Sequence, residues 1–194
     1  MCRVRLEGGI CDEFKTPLQP GTLYGECKAR LFRTFETLLE EYGISGAWGR
    51  IFLLYGPNEQ TGRLIPSILQ ALFNGSPIRC THGRQLRNFL HVADAASAFV
   101  ALLESDVVGP VNIGSGTHVT IGHVVQELMR QSEVTSAQIE WGAIPVRSDD
   151  PPTLVPVTRR LRHEVGWTPR FDLATGLRDV VERWCRHAVS DHAA

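Results

Sequence analysis

Apolar residues recur along this chain with two spacings, one typical of amphipathic helices and one of buried strands. Between Thr22 and Tyr42 they return every three or four positions and stop at Gly43, which predicts a long helix capped by glycine. The same spacing predicts five further helices, near residues 64–74, 94–104, 120–131, 158–165 and 172–187. Thr22 and Asp94 are the expected N-terminal caps of the first and third helices.

Short apolar runs between the helices predict strands near residues 47–54, 77–80, 89–92 and 111–113. The first ten residues follow neither spacing, and the stretch 144–156 contains four prolines. Both segments are therefore expected to be irregular, with Asp149 and Asp150 in a solvated turn. Strands that alternate with helices indicate an α/β protein.

Composition and charge narrow the class of protein. The 194 residues carry a net charge of −1 and are 43% hydrophobic, which fits a globular domain that needs no disulfide or metal to fold. The near-zero charge argues against a nucleic-acid partner. The five scattered cysteines and seven histidines lack metal-ligand spacing, so no metal site is expected. No apolar run reaches membrane-spanning length, and we expect a cytoplasmic protein without a membrane partner.

The strongest chemical signal is a tyrosine followed four residues later by a lysine. Tyr24 and Lys28 fall in the first turns of the predicted helix, where this spacing places both side chains on one face. Tyrosine is a poor base at neutral pH, and a neighbouring cation favours its phenolate form. The pair therefore suits proton transfer. The alternative is a coincidental pair on a solvated helix face.

Five short segments add weight to this pair because their order along the chain is that of one enzyme family. They are PGTLYGECK at 20–28, RIFLLYGP at 50–57, RNFLHVAD at 87–94, NIGSG at 112–116 and GWTP at 166–169. From Pro20 to Trp184 the chain resembles the extended short-chain dehydrogenase/reductase family, the NAD(P)-dependent epimerases, dehydratases and reductases of sugar nucleotides. Cys27 stands where the family usually has serine.

The resemblance implies the distal part of a Rossmann-like, doubly wound parallel sheet with a small α/β substrate-binding domain. Residues 1–60 and 89–104 would belong to the nucleotide-binding domain, and residues 61–88 and 105–194 to the substrate domain. The family's glycine-rich phosphate loop has no counterpart ahead of Tyr24. We therefore expect the chain to correspond to the C-terminal portion of such an enzyme.

The resemblance also implies roles for individual residues. Tyr24 would transfer a proton at a sugar hydroxyl, and Lys28 would bind the nicotinamide ribose of NAD or NADP. Ile51 and Phe52 would lie beside the nicotinamide. A nucleotide-diphosphate sugar would contact the side chains at four positions, Leu53 (asparagine in many members), Arg63, Arg84 and Arg87.

Two functions remain open at this stage. The chain is an oxidoreductase of the epimerase/dehydratase type, or its C-terminal part, with hydride transfer at a sugar ring carbon. Alternatively it is a catalytically silent fragment that binds a nucleotide sugar or forms a homodimer, because the helix from Thr22 to Tyr42 resembles the family's dimerisation helix. His91 is expected to pack at a strand end, and the four tryptophans are expected to pack in the core and between the two domains.

Overall fold

Helices and strands alternate along most of the chain, which confirms the α/β class. The computed structural model describes residues 9–134 and 137–191. The helices of this part are α1 (Leu23–Tyr42), α2 (Leu64–Phe73), α3 (Val92–Glu104), α4 (Ile121–Ser132), α5 (Arg159–His163) and α6 (Leu173–Asp191). Its strands are β1 (Ile10–Cys11), β2 (Ala47–Ile51), β3 (Leu53–Tyr55), β4 (Ile78–Arg79), β5 (Leu86–Arg87), β6 (Phe89–His91), β7 (Gly109–Ile113), β8 (Val119–Thr120), β9 (Ile139–Glu140) and β10 (Thr153–Pro156).

Nearly all strand pairs in the described residues are parallel. Strand β2 pairs with β7, β3 with β6, and β4 with β9. A separate four-stranded sheet has the order β1-β10-β5-β8, in which only β5 and β8 are antiparallel. Parallel pairing requires long connections between the partners, and here the connections contain the helices.

Aromatic contacts fix α1 against β2. The Trp48 ring lies 5.4 Å from the Phe32 ring and 5.5 Å from the Phe35 ring, measured between centroids. Phe32 and Phe35 are three residues apart and so share one face of the helix. Gly43 ends α1 in the left-handed conformation (φ 62°), as the sequence predicts.

Two apolar clusters form the core. The first lies among α2, α4 and α6 and includes Ile65, Leu69, Val124, Leu128 and Leu177. The second joins α3 to β7 and the segment around α5, and it includes Ala98, Leu102, Val111, Ile113, Leu161 and Trp167. The predicted division into two domains stays a prediction.

The structure corrects several local predictions. His91 rather than Asp94 caps α3, because its Nδ1 accepts a hydrogen bond from the Ala93 backbone N–H at 3.3 Å. The stretch 144–156 is not wholly irregular, since it ends in β10. The first ten residues include the start of β1. Strands of two residues, such as β1, β5, β8 and β9, are too short to show a spacing.

Candidate functional site

The side chains of Tyr24 and Lys28 lie together on the exposed side of α1. Tyr24 is the second residue of the helix and is 59% exposed. The Lys28 Nζ lies 5.8 Å from the centroid of the tyrosine ring, which is a cation–π distance. The four-residue spacing thus brings both groups to one face, as predicted.

A cap and a close packing contact fix the turn that carries Tyr24. The Thr22 hydroxyl accepts a hydrogen bond from the Gly25 backbone N–H at 3.1 Å, which confirms Thr22 as the N-cap. A Cβ on Gly25 would lie only 3.1 Å from the Pro20 Cβ. Glycine at this position therefore lets the preceding chain fold tightly against the first turn.

Ile51, Phe52 and Leu53 lie where β2 passes into β3. Ile51 ends β2 and is 47% exposed. Phe52 is half-buried, and its backbone N–H donates to the Ile113 carbonyl at 3.3 Å. Leu53 packs against the first core cluster. At the position where many family members have asparagine, this chain thus has a leucine that packs against the core.

Two of the predicted substrate arginines are exposed. The Arg63 Nε lies 3.6 Å from Glu59 Oε1, and burial raises the pKa of the Glu59 carboxyl. Arg84 belongs to the loop before β5, where its backbone N–H donates to His82 Nδ1 at 3.0 Å. Both guanidinium groups are accessible to a ligand in solution.

Arg87 differs from these two because it is buried, with 4% of its surface exposed. Its Nη2 donates to Asp150 Oδ1 at 2.6 Å and to the Pro151 carbonyl at 2.8 Å. Its Nη1 donates to the Leu86 carbonyl at 2.8 Å. Asp150 lies in a bend with its side chain 38% exposed, in line with the expected solvated turn, and one of its carboxylate oxygens also pairs with Arg87. Arg87 holds the segment that leads into β10.

A buried carboxylate at the start of the described chain was not singled out from the sequence. Glu13 Oε1 accepts a hydrogen bond from the Asn112 backbone N–H at 3.0 Å. The Asn112 side-chain amide donates to the carbonyls of Cys11 at 2.9 Å and Val157 at 3.1 Å. Burial raises the pKa of Glu13. The only available signal was the asparagine of NIGSG, which does not indicate its partner.

Buried polar groups also connect β6 and α3 to the C-terminal segment. His91 is 4% exposed at the end of β6, as expected, and its ring centroid lies 4.2 Å from that of Phe171. Its Nε2 is 3.4 Å from Asp179 Oδ2. Burial lowers the pKa of His91, although Asp179 opposes this. The Asp94 carboxylate accepts the backbone N–H groups of Arg170 and Phe171 at 3.1 and 2.9 Å.

The tryptophans are only partly interior. Trp167 is 8% exposed and its Nε1 donates to the Ser97 hydroxyl at 3.0 Å, whereas Trp141 is 44% exposed. Cys27 is exposed on α1. Within residues 9–134 and 137–191, no three histidine, cysteine or acidic side chains are grouped as a metal site would require. No described helix combines the length and apolar character needed to cross a membrane.

Around the predicted site residues, the contacts found in the described part of the chain form two separate groups, and only the first joins two predicted residues. Tyr24 contacts Lys28, and Arg87 contacts the segment 150–152. The hydrogen bonds and ion pairs found in the described part of the chain do not join one group to the other. Ile51 and Leu53 are near neighbours in sequence, but the first is open to solvent and the second packs inward.

Comparison with known proteins relates this geometry to a family. Residues 7–114 match the model of the NAD dependent epimerase/dehydratase family. A UDP-glucose 4-epimerase of Corynebacterium glutamicum is 32% identical over 188 residues, covering 86% of this chain and 54% of the relative. UDP-glucuronic acid decarboxylase 1 of Arabidopsis thaliana is 31% identical over 172 residues, covering 85% and 38%. The chain spans about half the length of the curated relatives it matches.

Solved structures agree on the fold. A UDP-glucose 4-epimerase of Thermotoga maritima, solved with UDP-glucose, has a TM-score of 0.83 at 21% identity and covers 92% of this chain and 58% of its own. DesIV, a dTDP-glucose 4,6-dehydratase of Streptomyces venezuelae with NAD bound, has a TM-score of 0.83 at 19% identity, with coverages of 97% and 58%. The predicted Rossmann-like α/β class and the family resemblance are confirmed.

Proposed function

Since the chain belongs to the NAD dependent epimerase/dehydratase family, we propose that it supplies the proton-transfer pair and substrate-binding side chains of a nucleotide-sugar epimerase or dehydratase. The reaction would begin with oxidation of a sugar ring carbon. Relatives at 27–32% identity include a UDP-glucose 4-epimerase and a dTDP-D-glucose 4,6-dehydratase. The names of these relatives support a nucleotide-diphosphate sugar as the proposed substrate class.

The observation that carries this proposal is the position of Lys28 over the ring of Tyr24 at 5.8 Å. Both groups lie on one exposed face of the helix, where a substrate hydroxyl can reach them. The phenolate accepts the proton of the sugar hydroxyl at the carbon to be oxidised, and the resulting phenol returns that proton in the reverse step. The first turn of α1, which the Thr22 cap stabilises, carries the tyrosine.

The proposed cofactor is NAD or NADP, as in similar proteins solved with NAD and with NADPH. The described residues fit its nicotinamide end. The three N–H donors of the Lys28 ammonium suit ribose hydroxyls, and exposed Ile51 offers apolar surface at the end of a parallel strand, where α/β folds bind such groups. When bound, the cofactor supplies the acceptor for the hydride.

Substrate binding is proposed to divide between exposed and buried arginines. Arg63 and Arg84 present accessible guanidinium groups that can pair with a diphosphate. Arg87, by contrast, is buried, and it holds the 150–152 segment through Asp150. Leu53 offers no hydrogen bond from its side chain, so the diphosphate relies on the arginines.

The test is a titration of the purified chain with NADH and NADPH, followed by nucleotide sugars and a turnover assay. We expect weak but saturable cofactor binding, because the glycine-rich phosphate loop has no counterpart ahead of Tyr24, and a loss of turnover of roughly a hundredfold or more in Tyr24→Phe with binding retained. Tyr42→Phe is the matched control, because this tyrosine is 65% exposed at the other end of α1. Undiminished turnover in Tyr24→Phe, or no binding by a folded sample, would contradict the proposal.

A second candidate, a homodimerisation module, is favoured by a stripe of exposed apolar residues on α1. Leu31 and Leu38 are 52% and 46% exposed and lie two turns apart on one side of the helix. A second copy would bury this stripe. Sedimentation should then show a dimer that Leu38→Glu dissociates and Arg33→Glu, on another side of α1, does not. A monomer at all concentrations would exclude this candidate.

A further inference from the structure

A cavity of about 280 Å³ opens between the turn after β7 and the segment that precedes α6. Its apolar wall includes Tyr55, Phe89 and Val119. Its polar wall includes Thr117, Arg162 and Arg170. None of the four side chains proposed to bind the nucleotide sugar lines this cavity. The cavity is therefore separate from the proposed substrate site.

Arg162 is held in a fixed orientation at this cavity. Its Nη2 donates to the Ser115 carbonyl at 2.8 Å, and its guanidinium lies directly against Gly116. A Cβ on Gly116 would be 2.8 Å from the Arg162 Cζ, and the glycine also has a positive φ of 75°. The turn therefore requires glycine both for its backbone and to admit the guanidinium.

Arg170 is fixed by a different set of contacts. Its guanidinium lies over the Phe171 ring, 4.7 Å from the centroid. Its backbone N–H donates to the buried Asp94 carboxylate, which anchors the main chain of the cavity wall. Two arginines from separate elements are thus brought to one cavity.

Neither of these arginines forms an ion pair within the described part of the chain. Seven other arginines of this part do pair with carboxylates. One carboxylate, that of Asp172, lines the cavity. Its Oδ1 accepts bonds from the Thr175 hydroxyl and backbone N–H, both at 2.7 Å. With Asp172 ionised, the lining residues still carry a net charge of +1.

The hydroxyl groups of the cavity wall differ in availability. The Ser115 hydroxyl donates to the Thr117 carbonyl at 3.1 Å and accepts from the Asn88 amide at 2.9 Å. The Thr117 hydroxyl makes no hydrogen bond among the described residues. Two guanidinium groups and one hydroxyl therefore remain to donate to a ligand, enough for the three oxygens of a phosphate monoester.

We propose that this cavity binds a phosphate monoester with an apolar substituent. The phosphate lies between Arg162 and Arg170 and accepts charge-assisted hydrogen bonds from both. The substituent packs against Tyr55, Phe89 and Val119. The volume lies just below the range of about 300–1,000 Å³ for sites that hold drug-sized ligands, which favours a small ester over a whole nucleotide sugar. The site is independent of the proposed function.

Calorimetric titration of the purified chain with phenyl phosphate tests the proposal. We expect saturable binding that is weakened about tenfold or more in Arg162→Gln and in Arg170→Gln, because each loses a charge-assisted hydrogen bond. Arg159→Gln is the matched control, since this arginine is exposed on the same short helix α5 and does not line the cavity. The Arg159→Gln variant should bind phenyl phosphate with the same affinity as the unchanged chain.

Arg63→Gln separates this site from the proposed substrate site. Binding that survives Arg170→Gln but is lost in Arg63→Gln would overturn the proposal, as would equal weakening in all four variants or no binding in the millimolar range. Arg170→Gln is the more informative variant, because Arg162 also holds the Ser115 turn. Circular dichroism of each variant checks that the fold is retained.

Discussion

The carboxylate of Glu13 accepts a hydrogen bond from the backbone N–H of Asn112, although the two residues are 99 positions apart in the chain. Both are buried, with 5% and 1% of their surfaces exposed. The Asn112 amide also donates to the carbonyl of Cys11 in β1 and to that of Val157 just after β10. The Glu13 carboxylate and the Asn112 side chain therefore join three parts of the chain: its described start, β7 and the segment after β10.

Replacement of Glu13 by alanine should lower the free energy of unfolding by about 1–3 kcal/mol. The change leaves the buried N–H of Asn112 without its acceptor. Glu13→Gln keeps an acceptor oxygen at the same position and should lose less. Urea unfolding of the three proteins measures the difference. Equal losses in the two variants would mean that volume, rather than the hydrogen bond, matters at this position.

The same carboxyl should make stability depend on pH. Burial raises the pKa of Glu13 above its ordinary value of 4.5, so the native state binds the proton more tightly than the unfolded state does. The stability that comes from this pKa shift is therefore fully present below about pH 4.5 and is lost as the pH rises through the raised native pKa. The stability of the unchanged chain relative to Glu13→Gln should fall over this window. A constant difference would contradict the assignment.

His91 should act in the opposite sense. Burial lowers the pKa of its imidazole below the ordinary 6.5, and the stability associated with the neutral ring is fully present above that value. It is lost as the pH falls toward the lowered native pKa. His91→Asn retains a capping acceptor for α3. The stability difference between the unchanged chain and this variant should therefore shrink on acidification, as measured by urea unfolding at several pH values.

Asp150→Ala should cost about 1–3 kcal/mol, because it removes the carboxylate that pairs with the buried guanidinium of Arg87 at 2.6 Å. Arg79→Ala is the control. The Arg79 side chain is 66% exposed, and its Nε lies 3.6 Å from Glu140, so its loss should cost under about 1 kcal/mol. If both variants lost the same free energy of unfolding, burial of Arg87 would not strengthen its ion pair with Asp150.

Gly176→Ala should destabilise the chain by about 1–3 kcal/mol, since a methyl group at this position would overlap the hydroxyl of Tyr55. Tyr55 is 3% exposed and packs edge-on against Phe89, so it has little room to move. The double variant with Tyr55→Phe should recover part of the loss. A double-mutant cycle by urea denaturation measures this coupling, and strict additivity would exclude the overlap.

The sequence predicts the long helices and the proton-transfer pair because both depend on short spacings. The apolar period of α1 and the four-residue step from Tyr24 to Lys28 are visible in the chain itself. The partners of Arg87 and Glu13 are not, because they lie 63 and 99 residues away and no local pattern encodes such a separation. Arg87 was therefore predicted only as a substrate contact, and its buried pairing was missed.

The parallel pairing of β1 with β10 also has a consequence for biosynthesis. Ile10 lies opposite Val155, so β1 leaves the ribosome long before its neighbour has been made. At about 5–20 residues per second, the interval is roughly 7–30 s. During this time, the backbone of β1 has no native strand partner, and the carboxyl of Glu13 meets Asn112 only after the intervening residues have been made. The pairing of β1 with β10 therefore cannot form until Val155 and Pro156 have been synthesised.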